Sequence, residues 1–367
     1  MIDPRIENLA KILVYYSVKV KPDDWVLVRG HVHAMPLVEE VVRHVIRAGG
    51  NPTVMLDSEA LTETILREAS ENQLAWVSPV ETQLYNQMDV LINLLAASNT
   101  RALTDIAPQK MRVRQQARRE LTDTFMQRSA EGSLRWVLTQ FPCDAYAQDA
   151  DMSLRNYEDF VYAATFADQP DPIASWQGIH DMQQRLIEWL RGKKQVELRG
   201  PNSQISLSIE GRTFINSDGT HNMPSGEIFT GPVEDSVNGW IRFTYPAISG
   251  GREVEGVELE FKDGKVVQAS AEKNEDYLLT LLDSDPGARY LGEFAIGTNY
   301  GIKRFTRSIL FDEKIGGSIH MAVGAGYPET GSLNKSSIHW DFICDMRDDS
   351  EILVDGELFY KNGEFVI

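Results

Sequence analysis

Cysteine is almost missing from this chain of 367 residues, Cys143 and Cys344 being the only two. That scarcity rules out a cysteine-ligated zinc finger and a disulfide scaffold, and it fits two buried thiols in a reducing cytoplasm. Positive charge is scarce as well. Against 54 acidic residues stand 36 basic ones, a formal net charge of −18. Such a surface repels phosphate backbones and anionic lipid, so the sequence predicts no nucleic-acid partner and no membrane partner. No apolar run of roughly 18 residues and no charged, apolar, small-residue leader is found, so the expectation is a soluble, unexported, cytoplasmic protein. Absent too is any Gly-x-Gly-x-x-Gly or Walker-type loop after a strand, so a Rossmann-like scaffold here implies no nucleotide.

What is present is enough apolar material for more than one core. At 42% hydrophobic content over this length, two domains are expected. The first half alternates helical and strand patterns. A helix is predicted over residues 4–18, a strand over 25–29, a helix over 34–48 stopped by Gly49-Gly50-Asn51, and a strand over 52–56. This strand-helix-strand unit builds parallel sheets. A helix near 61–74, the strand Val90–Leu95, a long charged helix over 108–129 and a strand over 134–138 continue it, and helices follow at 153–167 and 176–191. After Gly192 the pattern changes to short alternating strands and turns, including Asp263-Gly264 between two alternating runs, a strong hairpin signal. The reading is α/β: a Rossmann-like parallel-sheet domain over residues 1–188, then a mixed α+β domain over 189–367.

Metal-holding side chains gather late in the chain. Residues 313–341 contain His320, His339 and Asp341, two of the seven histidines and a carboxylate. In a strand, residues i and i+2 share a face, so His339 and Asp341 point together while Trp340 points away. An imidazole beside a carboxylate is half of a divalent-metal site or simply a satisfied polar pair. Gly316, Gly317, Gly324, Gly326 and Gly331 around them suggest bends and close backbone approach. Two further Gly-rich stretches, Asn222-Met-Pro-Ser-Gly-Glu227-Ile-Phe-Thr-Gly-Pro232 and Gly292-Glu293-Phe-Ala-Ile-Gly-Thr-Asn299, each carry one Glu among apolar neighbours. A buried carboxylate there needs a cation, either an Arg or a metal. His31 and His33 flank Val32 at metal-like spacing but lack a nearby carboxylate. His221 reads as a turn residue, and Trp240, Tyr245 and Trp340 read as core.

These motifs, with Gly-Arg-Thr-Phe-Ile-Asn-Ser-Asp-Gly from Gly211, Asp-Glu-Lys-Ile-Gly-Gly-Ser-Ile-His ending at His320, and His-Trp-Asp at 339–341, resemble the M29 metallo-aminopeptidases, the thermophilic aminopeptidase T family. The resemblance covers essentially the whole chain and is strongest from Gly211 through Arg347. It implies a metal set at Glu227, Glu293, His320, Tyr327, His339 and Asp341. It also implies two divalent ions (zinc, cobalt or manganese), short peptide substrates and a homodimer. Ser332 stands where the family pattern has a second Gly after Gly331, a departure expected to alter loop flexibility and to remove no ligand.

The chemistry is consistent with that set. Peptide hydrolysis needs a nucleophile and a stabilised oxyanion, both of which paired divalent ions supply. One carboxylate bridges such ions; Glu293 is favoured over Glu227. Tyr327 is a phenolate ligand or an oxyanion donor, and Glu313 is a general base or the ion-pair partner of Lys314. The first domain is expected to enclose the site, alone or across a dimer interface, and so to limit entry to short chains. A dimetal amidohydrolase acting on non-peptide amides, or a metal-stabilised binding protein without catalysis, are the competing readings.

Overall fold

The computed structural model describes residues 3–367. Its chain divides into two compact units, one formed by residues up to Ser175 together with Gly219–Pro224, the other by Trp176–Asp218 with Ser225–Ile367. In the first unit a five-stranded, all-parallel sheet runs in the order Asn51–Asp57, Trp25–His31, Val90–Leu95, Arg135–Gln140, Asn222–Met223. The central strands are continuous apolar runs because both of their faces are buried, Val26, Val28, Val90 and Ile92 on one and Leu27 and Leu91 on the other. The opening helix Pro4–Lys11 starts on Asp3, whose carboxylate accepts the Arg5 N–H at 2.9 Å. It then passes into a π-helical stretch over Ile12–Ser17.

Two of the predicted helices are broken. In place of one helix near 61–74 there are helices at Glu59–Glu68 and Glu71–Leu74, because Ser70 and Gln73 form a reciprocal capping box that starts a new helix. The long charged helix is likewise two, Pro108–Ala117 and Arg119–Ala130, interrupted at Arg118, whose guanidinium binds both oxygens of Glu81 at 2.7 and 2.8 Å.

The second unit has an eight-stranded antiparallel sheet in the order Lys265–Ser270, Glu258–Lys262, Asn238–Arg242, Ser203–Ser208, Gln195–Gly200, Glu351–Val354, Glu357–Lys361, Glu364–Phe365. The Asp263-Gly264 turn joins its first two strands with both residues at positive φ, 49° and 80°, as a two-residue hairpin requires. A five-stranded antiparallel sheet runs in the order His339–Asp345, Ser318–Gly324, Leu291–Gly297, Glu227–Thr230, Ile215–Ser217. The helix Pro172–Leu190 sends Leu186 and Leu190 into the core of this unit beside Leu198, Leu207 and Phe359. That packing carries the division of the chain to Ser175, ahead of the expected change at 188/189. Trp340 lies in the same core, as expected. Trp240 does not. Its neighbour Ile241 takes the inward position, leaving Trp240 on the outer face, where it lines surface hollows of about 430 and 550 Å³.

A candidate metal centre on one face of the five-stranded sheet

Strand alternation builds the site. Along Leu291–Gly297, Ser318–Gly324 and His339–Asp345, every second residue points into the apolar core: Phe294 and Ile296, then Ile319, Met321 and Val323, then Trp340, Phe342 and Cys344. The intervening residues all share the other face. Register places Glu293 opposite Ala322 and Ala322 opposite Asp341, with Ala295 opposite His320, Gly324 opposite His339 and Gly297 opposite Glu227. Alternation on four strands therefore gathers Glu227, Glu293, His320, His339 and Asp341 on one surface. Ala295, Ala322, Gly297 and Gly324 leave the room between them. A bulge between Leu291 and Glu293 re-aims Glu293, and Gly292 permits it, since a Cβ there would lie 2.2 Å from the Ala325 carbonyl oxygen.

The distances define one connected cluster. His320 Nε2 lies 3.5 Å from Glu293 Oε1, 3.7 Å from Glu227 Oε2 and 4.0 Å from Asp341 Oδ1. His339 Nε2 lies 3.2 Å from Glu293 Oε2 and 3.4 Å from Asp341 Oδ1. Each imidazole is oriented by its other nitrogen, Nδ1 of His320 being 3.0 Å from the Glu313 carbonyl and Nδ1 of His339 2.7 Å from that of Ala325. With Nδ1–H donated to a carbonyl, the neutral ring presents the Nε2 lone pair to the carboxylates, the arrangement seen in metal-ligating histidines.

Buried charge here lacks a full complement of donors. Glu227 Oε2 and Asp341 Oδ1 are buried without a hydrogen-bond partner. Burial raises the Glu227 carboxyl above its ordinary range. Burial acts the same way on Glu293 and Asp341, yet the neighbouring imidazoles outweigh it and hold both below their ordinary values. Conversely, burial disfavours the charged imidazoles, but the carboxylates prevail and lift His320 to about 10 and His339 to about 11. A site that draws protons this strongly is one that cations would occupy in their place. Among the described residues, Glu293, His339 and Asp341 form one grouping with metal-ligand spacing and Glu313, His320 and Asp341 another, with Asp341 in both. The donors are oxygens and imidazole nitrogens without thiolate, a set that suits zinc, cobalt or manganese.

Of the residues singled out from the sequence, Glu227, Glu293, His320, His339, Asp341 and Glu313 come together. Glu313 is buried, raised to about 7 by that burial, and in contact through Oε1 with the ammonium of Lys314. Tyr327 stands at the rim, 40% exposed, its ring 5.2 Å from that of His339 and 5.4 Å from that of Phe229. His221 is not in this cluster; it belongs with the first unit, its ring 4.9 Å from that of Trp136. His31 has a carboxylate after all, Glu59 Oε1 at 3.2 Å, and its Nδ1 accepts the Ala96 N–H. Ser332 is a buried anchor: its hydroxyl donates to Glu234, and its side chain fits because Gly231 and Gly326 carry none.

One buried residue escaped the sequence reading, and so did the burial of another, Lys314, foreseen only as a partner of Glu313. Gln183 sits behind the site, its amide nitrogen donating to the backbone carbonyl of Glu227 at 3.0 Å and to Thr298 Oγ1 at 2.8 Å. A lone Gln on the inner side of a helix gives no sign of that role. Lys314 is fully buried with Nζ 3.8 Å from Glu227 Oε1. Its signal was its place in a Gly-rich, mostly apolar stretch, where a lysine has no reason to be unless a carboxylate awaits it.

Comparison with known proteins agrees with this geometry. The family model described as "Thermophilic metalloprotease (M29)" matches residues 2–365. The chain is 27% identical over 386 residues to Aminopeptidase 2 of Geobacillus stearothermophilus, covering 94% of this chain and 93% of that protein. It is 25% identical over 398 residues to Aminopeptidase T of Thermus thermophilus, covering 98% and 95%. The solved structure of wild-type AmpT from Thermus thermophilus superposes with a TM-score of 0.86 at 23% identity, covering 99% of each chain.

Proposed function

Since the chain belongs to the thermophilic metalloprotease family M29 and is a metal-dependent aminopeptidase, we propose that its centre holds two divalent ions, zinc, cobalt or manganese, and removes N-terminal residues from short peptides. The observation that carries the two-ion reading is the division of Glu293, one oxygen facing each imidazole. On this reading His320, Glu227, His339, Asp341 and Glu293 would hold the two cations, with Glu293 the carboxylate that would be shared between them. Divalent ions so held supply Lewis acidity toward a peptide carbonyl and toward water.

The remaining work falls to side chains. Glu313 has one oxygen fixed by Lys314 and a proton affinity near neutrality, so its free oxygen takes the proton of the attacking water and returns it to the leaving amine. Tyr327, on the exposed rim against His339, is the donor to the oxyanion rather than a ligand. The negative charge of the molecule as a whole favours a substrate with a free α-ammonium group. A cytoplasmic location accords with two buried free thiols, and the homodimer expected of the family completes the reading.

An aminoacyl-anilide panel assayed with and without chelator is the direct test. Turnover should vanish on chelation and return with metal, and N-acetylation of a good peptide should abolish its cleavage. Hydrolysis of the acetylated peptide at an unchanged rate would mean that the free amino group is not recognised. Elemental analysis of fully active protein giving one ion per chain would refute the paired centre.

A further inference from the structure

Among the described residues, Lys314 is the one ammonium in a cluster that also holds the carboxylates Glu227, Glu293, Glu313 and Asp341 and the imidazoles of His320 and His339. Its side chain has no exposed surface. Burying an ammonium is expensive, and an apolar side chain of similar length would fill the same space at less cost if packing were all that was needed. The charge itself must therefore have a use. It touches Glu313 and faces Oε1 of Glu227, while the other Glu227 oxygen faces His320 and lacks a donor. Lys314 thus touches Glu313 of the Glu313, His320 and Asp341 grouping and faces Glu227, and its charge also acts on Asp341, which both groupings share.

We propose that Lys314 is a positioning residue that serves as the fixed positive charge of the centre: it offsets one of the two negative charges of Glu227 and Glu313 before cations arrive, and it makes the ion position beside Glu227 and His320 the weaker of the two. The inference rests on the two-ion reading above. Two divalent ions balance four carboxylates, so the lysine leaves the loaded centre with one positive charge over. The same charge repels the nearer cation through a poorly screened interior, whereas the farther one is affected less.

Binding measurements separate this from a packing role. Zinc and manganese affinities of the metal-free chain, measured by competition with a chromophoric chelator, should resolve a tight and a weak ion. Lys314→Met should tighten the weak ion at least about tenfold, change the tight one much less, and lower the melting temperature of the metal-free protein while leaving that of the loaded protein nearly unchanged. Lys314→Arg, which keeps the charge, should bind like wild type. If metal-free Lys314→Met does not fold, the double variant Lys314→Met with Glu313→Gln, which removes both members of the contact, should fold without metal. Failure of that double variant to fold even in the presence of metal would overturn the proposal, because cations would then not stand in for the lysine's charge. Two ions bound by Lys314→Met with wild-type affinities would overturn it as well, leaving the two-ion reading intact. Wild-type protein that takes up fewer than two ions would overturn that reading, and this inference with it.

Discussion

Glu293 is the residue on which the paired centre depends, since no other carboxylate offers a separate oxygen to each imidazole at 3.5 Å or less. Glu293→Gln keeps the volume and removes the charge. It should lower kcat by more than tenfold, a barrier increase above about 1.4 kcal/mol, and reduce the bound ions per chain, while the circular dichroism spectrum stays unchanged; a rate above a tenth of wild type would remove Glu293 from the bridging position. The two thiols give a second check on the packing. Burial raises Cys143, and burial with the nearby Asp345 raises Cys344 to about 12. A thiol that hardly ionises and cannot be reached should not react. Ellman's reagent should find no fast thiol in the native protein and two in denaturant. At this scale, the pairing of His339 with Asp341 could be read from the sequence because a period of two fixes which residues share a face. The depth of Lys314 could not, because the segment Glu313–Lys314 lies in no strand and owes its burial to contacts from elsewhere.

Among the elements, the end of the Ser318–Gly324 strand is the most exacting. Gly324 has φ of 98°, and a Cβ there would lie 2.1 Å from the Ile338 carbonyl oxygen. This bend lets Ala325 donate its N–H to Ile338 at 2.7 Å and accept the imidazole of His339. Gly324→Ala therefore incurs both left-handed strain and a backbone collision. It should destabilise the fold by at least about 2 kcal/mol and weaken metal binding through the displaced His339. Thermal melts with and without zinc would record both effects, and a variant with wild-type affinity would mean that Ala325 does not orient the ring. Strands of this unit were readable because their inner residues meet one core and their outer residues meet water or the site. Helix continuity was less so: Ser70 and Arg118 interrupt helical patterns through side-chain hydrogen bonds that hydrophobic spacing does not register.

For the whole molecule, the two-part organisation followed from the change of period after Gly192, whereas the return of Gly219–Pro224 to the first unit did not, since it rests on the two-residue pairing of Asn222 and Met223 with Leu138 and Thr139. A segment that short carries no periodicity to read. Net charge, by contrast, needs no fold to be known, and −18 has a kinetic consequence. A negative field draws cationic peptides toward the protein and repels anionic ones, an effect carried by the encounter rate. Salt removes it, because the Debye length falls from about 30 Å at 0.01 M to about 3 Å at 1 M. The ratio of kcat/KM for a lysine-rich peptide to that for a glutamate-rich peptide of equal length should therefore fall by at least about threefold between those salt concentrations. The change should lie in kcat/KM, with kcat nearly constant, since salt screens the approach and hardly reaches the buried carboxylates. A ratio independent of salt would mean that the preference, if any, resides in contacts inside the site and not in the charge of the molecule as a whole.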